Sequence, residues 1–156
     1  MSSSISLTVN GRAEVLRFEP TETLLEALRR ELLLTSVREA CGIGVCGSCT
    51  VLVDGRPVSS CLLLAAMAEG LDVKTVEAMA DGDDLHPIQQ AFVDHTAFQC
   101  SFCTPGILLA TKALLAENAQ PSRDEVRHYL AGNLCRCGSY RNIEDAVLDA
   151  ADRLGS

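Results

Sequence analysis

The sequence predicts an α+β protein in two parts, a mixed sheet-and-helix unit followed by an all-helical one. Three observations carry that prediction. Ser4 to Val9 alternates polar and apolar residues, the period of a half-buried strand, and stops at Asn10-Gly11, a preferred hairpin turn. Glu77 to Asp84 (Glu-Ala-Met-Ala-Asp-Gly-Asp-Asp) is polar and acidic, and no convincing strand pattern recurs beyond it. The eight cysteines divide evenly about that stretch, four before it and four after it. The boundary is therefore placed between residues 79 and 80, giving parts 1–79 and 80–156.

The elements follow in order. After the turn, Ala13 to Phe18 returns as a second strand. Thr23 and Glu26 form a capping-box pattern opening a helix to about Leu33, with Leu24, Leu25, Leu28 and Leu32 along its inner face. Thr50 to Val53 reads as a strand, Asp54-Gly55 as a turn, and Pro57 to Ser60 as an edge strand, where a missing N–H is tolerated. Cys61 to Glu69, rich in Leu and Ala, reads as a short helix, and Leu71 to Val76 as another strand. In the second part Pro87 to about Phe98 is a helix with Ile88, Ala91 and Phe92 inward. Thr104 caps a helix from Pro105 to Asn118, with Pro at its first position. Ser122 and Glu125 repeat the capping box and open a third helix ending near Gly132. Asn142 caps a fourth, Ile143 to Leu154, which completes a four-helix bundle.

Composition excludes several functions. With 47% hydrophobic residues the chain can bury a real core. The net charge is −8, about −3 before the boundary and −5 after it, so neither part suits a nucleic acid or an anionic membrane surface. No apolar run approaches the roughly 18 residues of a membrane-spanning helix. Arg29-Arg30 precedes only Leu32 to Leu34, too short an apolar run for an export signal, and reads as a solvated helix face. A cytoplasmic location follows as the expectation, although a partner could carry an export signal for both. Eight thiols without a secretory signal point to metal ligation before disulfides.

The thiols are arranged with a pattern. Cys41-Gly42-Ile43-Gly44-Val45-Cys46-Gly47-Ser48-Cys49 packs three thiols and three glycines into nine residues, and Cys61 follows twelve positions later. C-x4-C-x2-C…C is the spacing of a plant-type [2Fe–2S] centre, and thiolate is a soft ligand suited to its iron. Glycines in such a loop allow positive φ and close backbone approach, so that N–H groups can reach the sulfurs. Cys100 and Cys103, spaced C-x2-C, stand before a helix N-terminus that favours thiolate. Cys135 and Cys137, in extended backbone, would point both sulfurs one way and Arg136 the other. Bringing the two pairs together closes a second four-thiolate site. Zinc and disulfides are the alternatives for these eight thiols. His86, His95 and His128 show no ligand spacing and read as surface or packing residues, which argues against a Rieske centre.

The plant-type motif, followed by Gln99-Cys100-Ser101-Phe102-Cys103-Thr104-Pro105-Gly106 and Asn133-Leu134-Cys135-Arg136-Cys137, resembles the iron–sulfur subunit of the molybdenum hydroxylases, the xanthine dehydrogenase / aldehyde oxidase / carbon monoxide dehydrogenase family. The resemblance spans nearly the whole chain. It implies a β-grasp ferredoxin domain with a [2Fe–2S] cluster on Cys41, Cys46, Cys49 and Cys61. It implies a helical domain with a second [2Fe–2S] cluster on Cys100, Cys103, Cys135 and Cys137. The implied partners are a large subunit with molybdopterin, in its cytosine dinucleotide form, and a medium subunit with FAD. Electrons would pass singly from molybdenum to the second cluster, then to the first, then to FAD or another acceptor. Gln99 and Cys137 match positions that approach the pterin, the substrate class is an N-heteroaromatic or an aldehyde, and this chain itself holds no substrate site. A free-standing two-cluster ferredoxin and a zinc-stabilised interaction module are the rival readings. Three departures stand out: Ser101 where the family usually has Gly, Gly138-Ser139 in place of Thr-Gly before Tyr140, and Ile43-Gly44-Val45 inside the first loop. If position 139 needs a left-handed backbone, Ser there costs about 1 kcal/mol unless Gly138 takes over.

Overall fold

The computed structural model describes residues 3–155. Strands β1 (Ser3–Val9) and β2 (Arg12–Phe18) pair antiparallel around Asn10 and Gly11, whose φ angles of 52° and 79° suit the tight turn. Strands β3 (Thr50–Val53), β4 (Arg56–Ser59) and β5 (Asp72–Lys74) complete a five-stranded sheet in the order β2-β1-β5-β3-β4. Only the β1–β5 pair is parallel. β4, which carries Pro57, is an edge strand as expected. The sheet grips α1 (Leu24–Glu31), whose start is fixed by the Thr23–Glu26 capping box and whose Leu24, Leu25 and Leu28 are buried in the core beneath. This is the expected β-grasp arrangement.

Several boundaries differ from the sequence reading, each for a physical reason. α1 stops at Glu31, because Leu33 turns left-handed (φ 55°) and Leu34 N–H reaches back to the Leu28 carbonyl. Cys61 to Glu69 is not a helix apart from a single 3-10 turn at Ala65–Ala68. Its backbone serves α1 instead: Leu24 N–H donates to the Leu63 carbonyl, and Ala65 N–H donates to that of Glu22. β5 ends at Lys74, and Val76–Ala78 forms another 3-10 turn.

The helical part is built from α2 (Pro87–Asp94), α3 (Thr104–Glu117), α4 (Arg123–Tyr129) and α5 (Tyr140–Gly155). α3 is the central helix, buried from Gly106 to Leu115 except at Lys112, as suits a helix apolar nearly all round. α2 ends four residues earlier than expected, where Thr96 turns left-handed (φ 48°). Thr104 is the first residue of α3 and not its cap; that place belongs to Cys103. Asn142 likewise lies inside α5, where its amide donates to the carbonyls of His95 and Thr96 and so ties α5 to the end of α2. The Ser122–Glu125 capping box opens α4 as read from the sequence. Arg123 and Arg127 then clamp α4 to Glu144 on α5, with Arg127 Nε 2.8 Å from the carboxylate.

The two parts share β3. All four of its residues are buried, with Val51 and Val53 in the sheet-side core and Leu52 in the helical core beside Ile107 and Phe92. α3 packs on the opposite sheet face from α1.

Candidate metal centres

Cys41, Cys46 and Cys49 line a loop between α1 and β3, and Cys61 follows β4, so the grip of the sheet on α1 brings the four together. Gly42, Gly44 and Gly47 hold φ of 64°, 74° and 69°, which turns the loop back around its thiols. A β-carbon on Gly44 would lie 2.3 Å from Leu62, and one on Gly47 would lie 2.4 Å from the Gly132 carbonyl. Backbone N–H groups of Ile43, Cys46 and Val45, with the Cys46 thiol, hold the Cys41 thiol down at about 6. Burial and the neighbouring Cys49 push Cys61 up to about 11.

The second group forms where the approach to α3 meets the segment before α5. The Cys100 thiol is drawn down by the Phe102 N–H and by Cys137, whereas Cys103 is pushed up to about 12 by burial and by Cys135. At Cys103, the cap of α3, burial and Cys135 outweigh the backbone N–H that would favour thiolate. At Cys135 burial opposes ionisation, but the N–H and hydroxyl of Ser139 with Cys103 outweigh it. The Cys135-Arg136-Cys137 segment is a turn closed by Gly138 N–H on the Cys135 carbonyl, not extended backbone; Arg136 is nonetheless exposed while Cys135 is buried. Gly138 takes the left-handed position (φ 79°), so Ser139 carries no such strain. Ser101 does, at φ 60°.

All eight thiols are free. Among the described residues no group of three or more His, Cys, Asp or Glu closes around a single ion. A [2Fe–2S] centre spreads four thiolates over two irons. Two sets of four thiols, each approached by backbone N–H donors, fit such a centre. The histidines stand apart: His86 caps α2, His95 pairs with Asp149 at 3.0 Å, and His128 is exposed on α4.

The two groups are joined directly. Leu134 N–H donates to the Cys46 carbonyl at 2.9 Å, and the buried Asn133 amide donates to the Gly47 carbonyl at 3.1 Å. Gly106, in the first turn of α3, abuts the same Gly47 carbonyl. Sequence reasoning missed these contacts, although Asn133 and Gly106 lie inside the motifs quoted above. Gln99 is exposed beside Cys100. A cavity of about 630 Å³ opens there, lined by Cys100, Phe102, Cys103, Leu134, Cys135 and Tyr140 among others. Apolar Ile43, Val45 and Leu62 are exposed around the first group.

Residues 7–80 match a family model described as a 2Fe-2S iron-sulfur cluster binding domain, and residues 75–148 match one described as a [2Fe-2S] binding domain. Two such domains in one chain define a two-cluster iron–sulfur electron carrier. The small subunit of nicotine 6-hydroxylase from Paenarthrobacter nicotinovorans is 46% identical over 152 residues, covering 97% of this chain and 92% of that one. The iron-sulfur-binding subunit of xanthine dehydrogenase from Escherichia coli O157:H7 is 47% identical over 148 residues, covering 94% and 92%. A crystal structure of quinoline 2-oxidoreductase from Pseudomonas putida 86 superposes with a TM-score of 0.95 at 47% identity, covering 99% of this chain and 98% of that one. The chain belongs to the iron–sulfur small subunits of the molybdenum hydroxylase family, and its role is electron transfer within such a heteromeric oxidoreductase. A large molybdenum subunit is its partner.

Proposed function

We propose that this chain relays electrons one at a time from the molybdenum–pterin site of its large partner to FAD on a medium subunit. Cys100, Cys103, Cys135 and Cys137 hold the cluster nearer molybdenum, and Cys41, Cys46, Cys49 and Cys61 hold the one nearer the acceptor. When bound, each cluster supplies a one-electron redox centre whose potential is set by charge, hydrogen bonds and exposure. The observation that carries the reading is the direct bonding of the two thiol groups, Leu134 N–H to the Cys46 carbonyl, one residue before Cys135.

The exposed mouth at Gln99, Cys100 and Phe102 is where the large subunit docks, with Gln99 and Cys137 toward the pterin, held there in its cytosine dinucleotide form. The apolar rim at Ile43, Val45 and Leu62 faces the flavin subunit. The substrate belongs to the large subunit's pocket. Some relatives are named for nicotine and xanthine and one similar structure for quinoline, while others are aldehyde oxidoreductases; of these two classes we prefer an N-heteroaromatic. The complex works in the cytoplasm, where thiols are kept reduced and available to iron.

The test uses the purified complex. Cys49→Ser is expected to halve the iron of this chain and stop steady turnover, while substrate still reduces molybdenum in a single turnover. Cys137→Ser is expected to cut off both centres from molybdenum. Rapid-reaction spectra with normal reduction of both centres in Cys137→Ser would overturn the ordering.

A further inference from the structure

Ser101, directly after Cys100, holds φ 60°, a left-handed backbone that crowds the β-carbon of an L-residue. In the first cysteine loop every such position is a glycine, at Gly42, Gly44 and Gly47. What holds the second loop is a side chain from the other domain. Arg38 Nη1 donates to the Ser101 carbonyl at 2.5 Å, and its guanidinium lies over the Phe102 ring, 5.3 Å from the centroid. The backbone that presents Arg38 is itself pinned, because Val37 is buried and Arg29 Nη1 donates to the Val37 carbonyl at 2.7 Å. A guanidinium combines a planar donor fork with stacking, which lysine cannot reproduce. A fixed positive charge beside a redox centre favours its reduced form, which carries one more negative charge.

We propose that Arg38 is a positioning residue for the Cys100–Cys103 loop and raises the reduction potential of the cluster that this loop helps to hold. The proposal rests on the reading of Cys100, Cys103, Cys135 and Cys137 as that cluster's ligands. It makes Arg38 a link between the domains: three residues from Cys41 in sequence, it acts on the other group.

The test is a redox titration of the intact complex, followed by electron paramagnetic resonance so that the two clusters are read separately, with iron counted per chain. The variants are R38Q, R38K, S101G and R38Q/S101G. R38Q is expected to lower the potential of the second cluster by about one tenfold step in its one-electron equilibrium, 59 mV, and to leave the first unchanged. R38K keeps the charge and most of the potential. S101G alone leaves both potentials in place. R38Q/S101G, whose loop needs no latch, holds the cluster as securely as the wild type but still at the lowered potential. An unchanged second potential in R38Q and R38Q/S101G, or an equal shift at both clusters, overturns the proposal. So does loss of the cluster from R38Q/S101G while S101G retains it, because the latch would then not act through Ser101. A wild-type complex with one signal and two irons in this chain would instead strike the ligand assignment.

Discussion

Gly106→Ala tests how the two domains are locked together. In an ordinary helix the change stabilises by about 1 kcal/mol. Here the added β-carbon would stand 2.3 Å from the Gly47 carbonyl oxygen. Carbon–oxygen contacts ordinarily begin near ~3.3 Å, so α3 and the first cysteine loop must part by about 1 Å. Both surfaces are backbone, and no flexible side chain can give way. The Asn133–Gly47 and Leu134–Cys46 hydrogen bonds, 3.1 Å and 2.9 Å long, would be drawn beyond bonding range. Losing two bonds at about 1 kcal/mol each, with about 1–3 kcal/mol of overpacking, outweighs the helix gain. The net loss is about 2–4 kcal/mol, a fall in melting temperature of about 5–15 °C for a chain of this size. Bleaching of the visible absorbance of the holo-protein on heating measures it. Gly132→Ala is the control, since a β-carbon there meets nothing within 4 Å. A Gly106→Ala protein as stable as the wild type would refute the reasoning.

Three further outcomes are expected. Ser139→Ala removes the hydroxyl donor at Cys135 and should lower the potential of the second cluster by tens of millivolts, on the order of one 59 mV step; a redox titration with no shift would dismiss that donor. Leu52→Ala empties the place where β3 enters the helical core and should cost about 2–5 kcal/mol in denaturant unfolding, both domains losing stability together; loss confined to the sheet domain would contradict a shared core. Glu144 is held below the usual carboxylate range by Arg127, against some opposition from burial and with help from Arg123. Its contribution is therefore present above the ordinary carboxyl pKa and fades as pH falls through the depressed one. Glu144→Gln should cost about 1 kcal/mol near neutrality and converge with the wild type in acid; a constant difference down to pH 3 would refute the linkage.

The hairpin and the capping boxes at Thr23 and Ser122 were legible because each is a local pattern with one physical solution. Asn10-Gly11 accepts positive φ at both positions, and Thr23 reaches Glu26 without help from elsewhere. Cys61 to Glu69 misled because its Leu and Ala content favours helix, yet its carbonyls and N–H groups are claimed by the start of α1. Asn142 looked like a cap but is used across the bundle, on the carbonyls at the end of α2. The contact between the thiol groups was illegible for another reason. It joins Gly47 to Gly106 and Asn133, far apart in sequence, and leaves no periodic trace. One signal was available: Thr50-Val51-Leu52-Val53 does not alternate strictly, the mark of a strand covered on both faces.

That covered strand changes the meaning of the acidic stretch between the domains. Polar composition placed the domain boundary there, and domains move against each other unless their interface is large and apolar. Here the stretch is fastened. Glu77 accepts from Ser36 and Thr75, Asp81 and Asp84 exchange backbone hydrogen bonds, and Met79 is buried in the helical core. Leu52 carries the same core into the sheet. The carbonyl of Gly47 accepts from Thr50 and Asn133 and is overlaid by Gly106. Side chains can change rotamer and so let an interface breathe, whereas a backbone carbonyl held by several donors has one position. A relay requires a constant separation between its two centres, and this chain fixes it with backbone at Cys46 and Gly47, inside the first cysteine loop. The glycines of that loop thus serve two ends, turning the chain around four thiols and admitting the second domain to contact.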